Sequence, residues 1–562
     1  MSNKQWFKDA VVYQVYPMSF QDSNGDGIGD LNGIKSRLDY IKKLGANVIW
    51  LNPIYKSPNK DNGYDIANYE EIQPAYGTMK DFDNLLQAMH QKGLKLLMDL
   101  VVNHTSDQHP WFQASKKSRY NPYSNFYIWR DPVNGHAPNN WGASFGGSCW
   151  TYVPSRRQYY LHCFAPGQPD LNWKNPKVRK AVYDIMRFWL DKGVDGFRMD
   201  VIDYISKPYG LPDGKVPKGG KYAPVGQMVA CGPKLADYLR EMNREVLSHY
   251  NVMTVGEMPS SVPQDVATLA NLDGKRLNMV FQFEHVSLSP NPDPRLGKWN
   301  DQPIKLTQLK HALSRWQTGL DGKAWNSLYW NNHDQPRAVS RFVDHADGPK
   351  YRVTAAKMLG TTLHMMQGTP YVFEGEELGM PNNHFTKLSQ YEDLESINAY
   401  HDLVDKGHYV DGPTMLKYLS HMSRDNARTP MQWNDGKNAG FTTGQPWYEV
   451  GPYYKKINVK NELANQDSVF YYYQKLISIR KSSQLVRYGD YQELDPKDNE
   501  VFAYLRHYQG QTLLIMSNFT KHNVSRDYHQ AKADKLVIDN YGNDRGTTLR
   551  PFESKVYVFN RF

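Results

Sequence analysis

The chain has 562 residues, 40% hydrophobic and 22% charged, with 67 Lys and Arg against 58 Asp and Glu. That length exceeds one ordinary core, so two or three domains are expected, and the composition excludes a disordered tail or a membrane bundle. The net charge of +9 has no basic run behind it, so neither a nucleic-acid partner nor a membrane surface is indicated.

Taken in chain order, short β-branched or apolar runs alternate with polar loops and amphipathic helical stretches. The first four strand candidates are VVYQVYP (11–17), VIWLNP (48–53), KLLMDLVV (95–102) and DGFRMDVI (195–202). NVMTVGE (251–257), MVFQFEH (279–285), SLYWNNHD (327–334) and PYVFEGEE (370–377) follow. Helical patterns lie between them, as in 81–93 and 178–193, with Gly93 and Gly193 as C-cap candidates. Eight such units predict an α/β fold, a (β/α)8 TIM barrel, with an open doubly wound sheet as the other arrangement of this pattern. The barrel is assigned to 1–103 and 178–485. The gap 104–177, rich in Asn, Pro, Gly, Trp and Tyr, is read as an inserted subdomain. Residues 486–562 change to short alternating strands and are read as a C-terminal antiparallel β-sandwich domain.

Neither end of the argument points outside the cytoplasm. No apolar run approaches the roughly 18 residues of a spanning helix, and Lys8 and Asp9 occupy the stretch where a signal peptide is apolar. Cys149, Cys163 and Cys231 are odd in number and lack CxxC spacing, so no disulfide framework or zinc site is expected. The 13% aromatic content, with 14 Trp and 39 Tyr, fits either a large core or stacking on flat ligands, of which sugars are the common polar class.

In a barrel of this kind the chemistry lies at the C-terminal ends of the strands. Asp99, Asp200, Glu257 and Asp334 fall at the ends of strands three, four, five and seven. Arg198 and Asp200 are two apart and share a strand face, whereas Phe197 and Met199 point to the other. Arg198 is expected to hold Asp200 ionised, while the partly desolvated Glu257 keeps its proton longer. One charged and one protonated carboxyl is the division of labour in glycoside hydrolysis.

DLVVNH (99–104), GFRMDVI (196–202), VGE (255–257) and NNHD (331–334) resemble, in order, the signature regions of the α-amylase superfamily, glycoside hydrolase family 13. QPDLNW (168–173) resembles a fifth region in its oligo-1,6-glucosidase form, and the likeness extends through RDNARTPMQW (424–433). The resemblance implies Asp200 as nucleophile, Glu257 as general acid/base and Asp334 as the transition-state carboxylate. It implies substrate contacts from Tyr64, Asp65, His104, Gln168, Arg198, His333 and Arg424, with Asp99 and Asn103 behind them. The implied enzyme is a retaining, exo-acting α-glucosidase, with the Asp200 and Glu257 carboxyls about 5 Å apart.

The loop DSNGDGIGD (22–30) places Asp22, Asn24 and Asp26 at alternate positions of an oxygen-ligand loop, but the glutamate of an EF-hand is absent, its place taken by Gly33. Spacing alone fits an Asx-rich turn equally well. The resemblance implies a structural Ca2+ held by Asp22, Asn24, Asp26, the Ile28 carbonyl and Asp30.

Val201 after the nucleophile, as in relatives that prefer α-1,6 bonds, implies isomaltose, isomalto-oligosaccharides, panose or short dextrans as substrates. Trehalose-6-phosphate hydrolysis and α-1,4-glucosidase activity are the alternatives on the same fold. A non-enzymatic transporter heavy chain is set against by the full set of three acids. The expected partner is a small oligosaccharide, and the expected state is a monomer or weak oligomer.

Overall fold

The computed structural model describes residues 5–343 and 348–560. Eight parallel strands form one sheet: β1 (Val12–Val15), β2 (Val48–Leu51), β3 (Lys95–Val101), β4 (Gly196–Asp200), β5 (Met253–Glu257), β6 (Met279–Phe281), β7 (Ser327–Leu328) and β8 (Thr369–Phe373). Their spatial order is β6-β5-β4-β3-β2-β1-β8-β7, the consecutive order of a wound barrel rather than that of a doubly wound sheet. β6 and β7 meet without a ladder, and the Ser327 hydroxyl donates to the Val280 carbonyl across the seam at 2.6 Å. The barrel is thus nearly closed.

Strand alternation sorts the core into two sets. Val12, Val48, Trp50, Leu97, Met253, Val255, Met279 and Phe281 fill the interior. Their neighbours Tyr13, Ile49, Leu51, Leu96, Met98, Phe197 and Met199 pack outward with the helices. The helices earn that contact through one apolar stripe each, as in Pro176–Asp191, whose Val178, Val182, Ile185, Met186 and Trp189 are buried. Close strand packing needs one glycine in particular. Gly196 has φ +149°, and a Cβ there would lie 1.9 Å from the Met253 carbonyl oxygen.

Between β3 and β4 lies a three-stranded antiparallel sheet of Trp129–Arg130, Gln158–Leu161 and Trp150–Val153. A second excursion after β8 carries the helices Leu394–Tyr400 and Gly412–Met422. The chain ends in a five-stranded antiparallel sheet whose central strands, Val501–Tyr508 and Gln511–Asn518, are almost wholly buried. No described helix is long and apolar enough to cross a membrane. The three cysteines are free.

Candidate active site

The acids at the barrel mouth arrive there by strand alternation. Asp99 on β3, Arg198 and Asp200 on β4 and Glu257 on β5 all face inward, and their side chains meet on one guanidinium. Arg198 Nη1 lies 2.9 Å from Asp99 Oδ1 and 2.7 Å from Asp200 Oδ1, and Nη2 lies 2.6 Å from Glu257 Oε2. The Asp200 carboxyl is within hydrogen-bonding reach of Glu257. Asp99 accepts further bonds from the Trp50 indole and the Tyr64 hydroxyl.

Burial dominates the electrostatics here, and this corrects the expectation that Arg198 alone sets the charge of Asp200. Loss of solvation pushes Asp200 up to about 7 and Glu257 up to about 8, with Arg198 pulling both down and the neighbouring carboxyls pushing them up. Asp99 is raised to about 6 for the same reason. The two carboxyls titrate as a pair around neutrality, where one can be charged while the other keeps its proton.

Immediately after Asp200 the main chain turns sharply. Val201 sits at φ 33°, ψ 45°, a left-handed conformation that costs a β-branched residue about 1–3 kcal/mol. That turn aims the Val201 N–H at Glu257 Oε2, 3.2 Å away. Sequence periodicity, which made Val201 an ordinary strand residue, gave no sign of it.

Asp334 approaches from the loop after β7. Arg424 Nη1 lies 3.0 Å and Arg428 Nη2 2.8 Å from its Oδ1. Burial opposes ionisation, but the positive charge around it holds Asp334 well below the usual carboxylate range. His333 is also buried and is held neutral, so the two guanidiniums carry that effect. The His333 ring stacks on Tyr64 at 5.3 Å and on Tyr16 at 6.1 Å. Gln14 Nε2 meets its Nδ1 at 2.9 Å, which leaves Nε2–H to face Asp334 Oδ2 at 3.2 Å.

A cavity of about 430 Å³ opens over these groups. Of the residues singled out from sequence, Tyr64, His104, Gln168, Asp200, Val201, Glu257, Asp334 and Arg424 line it. Arg198 and His333 are fully buried behind the carboxylates they bond. Asp65 is a correction. Its carboxylate accepts from the N–H groups of Lys60 and Asp61 and from the Ser57 hydroxyl, closing its own loop, and it does not reach the cavity. Asp61 lines the wall instead: Gln168 Nε2 donates to it at 2.9 Å and Arg424 Nη2 lies 3.4 Å away. The two acids sit four apart in one loop with no periodicity to separate them.

The aromatic residues of the insertion divide between the two readings of the composition, core and ligand stacking. Phe145 and Phe164 line the cavity, whereas Trp129, Trp141, Trp150 and Trp173 are buried in packed clusters. Arg428 lies in the RDNARTPMQW stretch but was not singled out there, and Lys298 and Glu395 carried no motif that marked them from sequence.

The 22–30 loop lies apart from the cavity lining. Asp22 accepts from the N–H groups of Asn24, Gly25 and Gly27 and from the Thr442 hydroxyl. Asp26 accepts from Ile28 N–H and the Asn24 amide, and Asp30 from Ser23 and Gly33. All donors the loop offers a cation are hard oxygens, which suits Ca2+ in chemistry. Its carboxylates are nevertheless turned onto N–H and O–H groups. Among the described residues no group of three or more His, Cys, Asp or Glu side chains is placed to hold a metal.

Comparison with known proteins is consistent in one direction. The family of the alpha amylase catalytic domain matches residues 14–489, and the maltogenic amylase C-terminal domain matches 491–556. The chain is 52% identical over 561 residues to a protein named oligo-1,6-glucosidase from Parageobacillus thermoglucosidasius, covering 98% of each. The crystal structure of Bacillus licheniformis trehalose-6-phosphate hydrolase superimposes with a TM-score of 0.91 at 45% identity, covering 98% of this chain and 99% of that one. The isomaltulose synthase from Protaminobacter rubrum gives 0.94 at 41% identity over the same shares.

Proposed function

The chain belongs to the α-amylase catalytic-domain family of glycoside hydrolases, and on that premise we propose that it is a retaining α-glucosidase that removes single glucose units from the non-reducing ends of α-1,6-linked oligosaccharides such as isomaltose and panose. The observation that carries the reading is the convergence of Asp200 and Glu257 on one guanidinium, with Asp334 facing the same cavity.

The roles follow from which oxygens are already engaged. Arg198 and the Val201 N–H both meet Glu257 Oε2, so Oε1 carries the proton that goes to the glycosidic oxygen. Arg198 bonds Asp200 Oδ1, leaving Oδ2 to attack the anomeric carbon as the bond to the leaving sugar breaks. Glu257, now ionised, takes a proton from water, whose oxygen displaces Asp200 and restores the α-anomer. Carboxyls within hydrogen-bonding reach leave no space for the water that an inverting enzyme seats between them. Asp334, held ionised by Arg424 and Arg428, stabilises positive charge on the flattening ring. The bonds Gln168–Asp61–Arg424 tie three distant loops into a wall beyond the acids, which suits a pocket for one terminal glucosyl unit.

Two observations support a neutral α-1,6 substrate. The Val201 side chain stands in the cavity beside the nucleophile and narrows the leaving-group side, favouring the more flexible 1,6 link. The cavity is lined by the carboxylates Asp61, Asp200, Glu257, Asp334 and Glu395 against Lys298 and Arg424. Both cations are already paired, Lys298 with Glu395 at 2.6 Å and Arg424 with Asp393 at 2.5 Å. A sugar phosphate carrying about −1.5 to −2 charges would find no free counter-charge there. A structural Ca2+ in the 22–30 loop is supported by its oxygen-only donor set.

The test is hydrolysis of isomaltose, panose, maltose and trehalose-6-phosphate side by side, with Asp200→Asn as control. Isomaltose and panose are expected to be cleaved fastest, and the variant to lose at least 10³-fold in kcat while keeping its fold. Faster cleavage of maltose or trehalose-6-phosphate would overturn the linkage assignment, and an active Asp200→Asn would overturn the mechanism.

A further inference from the structure

Beneath the cavity floor lies a buried polar network that the reaction as described does not use. Lys207 is 5% exposed and its ammonium makes three bonds. It reaches Asp170 Oδ2 at 2.6 Å, Asn103 Oδ1 at 2.7 Å and the Tyr204 carbonyl at 2.6 Å. All three ammonium protons are thereby spent. Asp170 accepts in addition from the Cys163 N–H and thiol. The network joins the inserted subdomain, the end of β3 and the turn after β4, and Asn103 and Asp170 at its centre are both fully buried.

An ammonium can only donate, so it dictates which way the Asn103 amide faces. With Oδ1 on Lys207, Nδ2 must point away, and it meets Asp170 Oδ2 at 3.3 Å and His104 Nδ1 at 3.2 Å. Because that nitrogen donates, His104 Nδ1 must accept, and the ring proton belongs on Nε2. Nε2 faces the Tyr64 carbonyl at 3.0 Å, which can only accept; the Gln168 amide nitrogen, 3.3 Å away, has its shorter bond to Asp61 at 2.9 Å, so the carbonyl decides the tautomer. Burial keeps the ring neutral, so the tautomer is a real choice between two forms.

We infer that Lys207 is a positioning residue that, through the Asn103 amide, fixes His104 in its Nε2–H tautomer, so that the ring N–H holds the Tyr64 carbonyl in the cavity wall. The consequence for catalysis rests on the glycosidase reading above; the tautomer itself does not. Lys207 touches no cavity-lining atom other than the Tyr204 main chain, and its influence is indirect. Removing it leaves only the 3.3 Å contact with Asp170 to hold the Asn103 amide; when the amide turns over, Oδ1 faces His104 Nδ1 and the ring proton moves there. The Nε2–H bond to the Tyr64 carbonyl is then lost, and two acceptors face each other in the cavity wall.

The experiment is 15N NMR of histidine-labelled enzyme, with the His104 signals assigned by their loss in His104→Gln, together with kcat and KM on isomaltose. The wild type is expected to show a pyridine-type Nδ1 and a pyrrole-type Nε2. Lys207→Met is expected to populate the other tautomer and to lose at least tenfold in kcat/KM. Lys207→Met/Asp170→Asn removes both charges, leaves no lone buried ion, and decides the matter if the single variant does not fold. A wild-type ring protonated on Nδ1 overturns the inference outright, as does a folded variant whose tautomer and kcat/KM match wild type. A wild type inert on every α-glucoside but showing the Nε2–H ring would instead defeat the glycosidase reading and leave the tautomer assignment standing.

Discussion

Replacing Arg198 by Met removes the cation shared by Asp200 and Glu257, the proposed nucleophile and acid. In the wild type both carboxyls sit above the usual range, near 7 for Asp200 and 8 for Glu257, because burial outweighs the guanidinium's pull. The free enzyme should therefore show a bell-shaped profile of kcat/KM, with limbs near those two values. Asp200 accepts a charge-assisted hydrogen bond from Arg198 at 2.7 Å, and Glu257 Oε2 pairs with Nη2 across 2.6 Å as an ion contact without hydrogen-bond geometry; such charged contacts contribute about 1.5–3 kcal/mol. At 1.36 kcal/mol per pH unit, losing them raises both groups by about 1–2 units. The sign is fixed: a lost cation disfavours the carboxylate, so Asp200 stays protonated to higher pH. At pH 7 the ionised fraction falls from about one half to a few per cent, a loss of roughly tenfold or more before any misplacement of the side chains. The assay is kcat/KM on isomaltose from pH 5 to 10, with circular dichroism confirming the fold. The whole bell is expected to move to higher pH and fall in height. A profile that drops without moving, or that superimposes on wild type, would refute the electrostatic reasoning.

Four further outcomes follow from the geometry. Asp61→Asn, which breaks the Gln168–Asp61–Arg424 wall, should raise KM for isomaltose at least tenfold with little change in melting temperature. Asp65→Asn should do the reverse, destabilising its loop by about 1 kcal/mol while leaving KM near wild type. Val201→Gly relieves the left-handed strain of about 1–3 kcal/mol and widens the leaving-group side, so calorimetry should show no loss of stability. Its isomaltose-to-maltose ratio should fall, and an unchanged ratio would remove Val201 from the specificity argument. If the 22–30 loop holds Ca2+, purified enzyme should carry one equivalent by elemental analysis, and chelation should lower the melting temperature without changing KM. Metal-free protein with an unaltered melting temperature would dismiss the ion.

The barrel was legible because period-2 strands and 3.6-residue helical stripes are written directly in the residues, and each of the eight predicted strands overlaps an observed one, although 327–334 shrinks to Ser327–Leu328 and 279–285 to Met279–Phe281. The acids at the strand ends were legible for the same reason: β4 must send Arg198 and Asp200 one way and Phe197 and Met199 the other. Loops carry no such period. Asp61 and Asp65 occupy equivalent-looking places in KDNGYD, and only the fold shows which carboxylate is spent on its own backbone. Arg428, Lys298 and Glu395 reach the site from segments whose approach is a tertiary fact. The ring-rich insertion misled by composition, since a Trp that fills a small core and a Trp that stacks on a sugar are the same letter. The positive φ of Val201 was equally invisible, for nothing local asks a β-branched residue to adopt it.

Arg424 contacts Asp61, Asp334 and Asp393 at once, and this has a consequence for the order in which the enzyme comes into being. Asp200, Glu257 and Asp334 have all been added to the chain once residue 334 is made, yet the wall beside them is incomplete until residue 424 follows. For that interval the nascent chain holds a full complement of reactive carboxyls and no pocket to work in. A truncated product ending between these points lacks that wall, and one ending before residue 369 also lacks β8 and exposes the edges of β1 and β7 that it pairs. Synthesis of the whole barrel, rather than of its catalytic residues, is the event that switches the activity on.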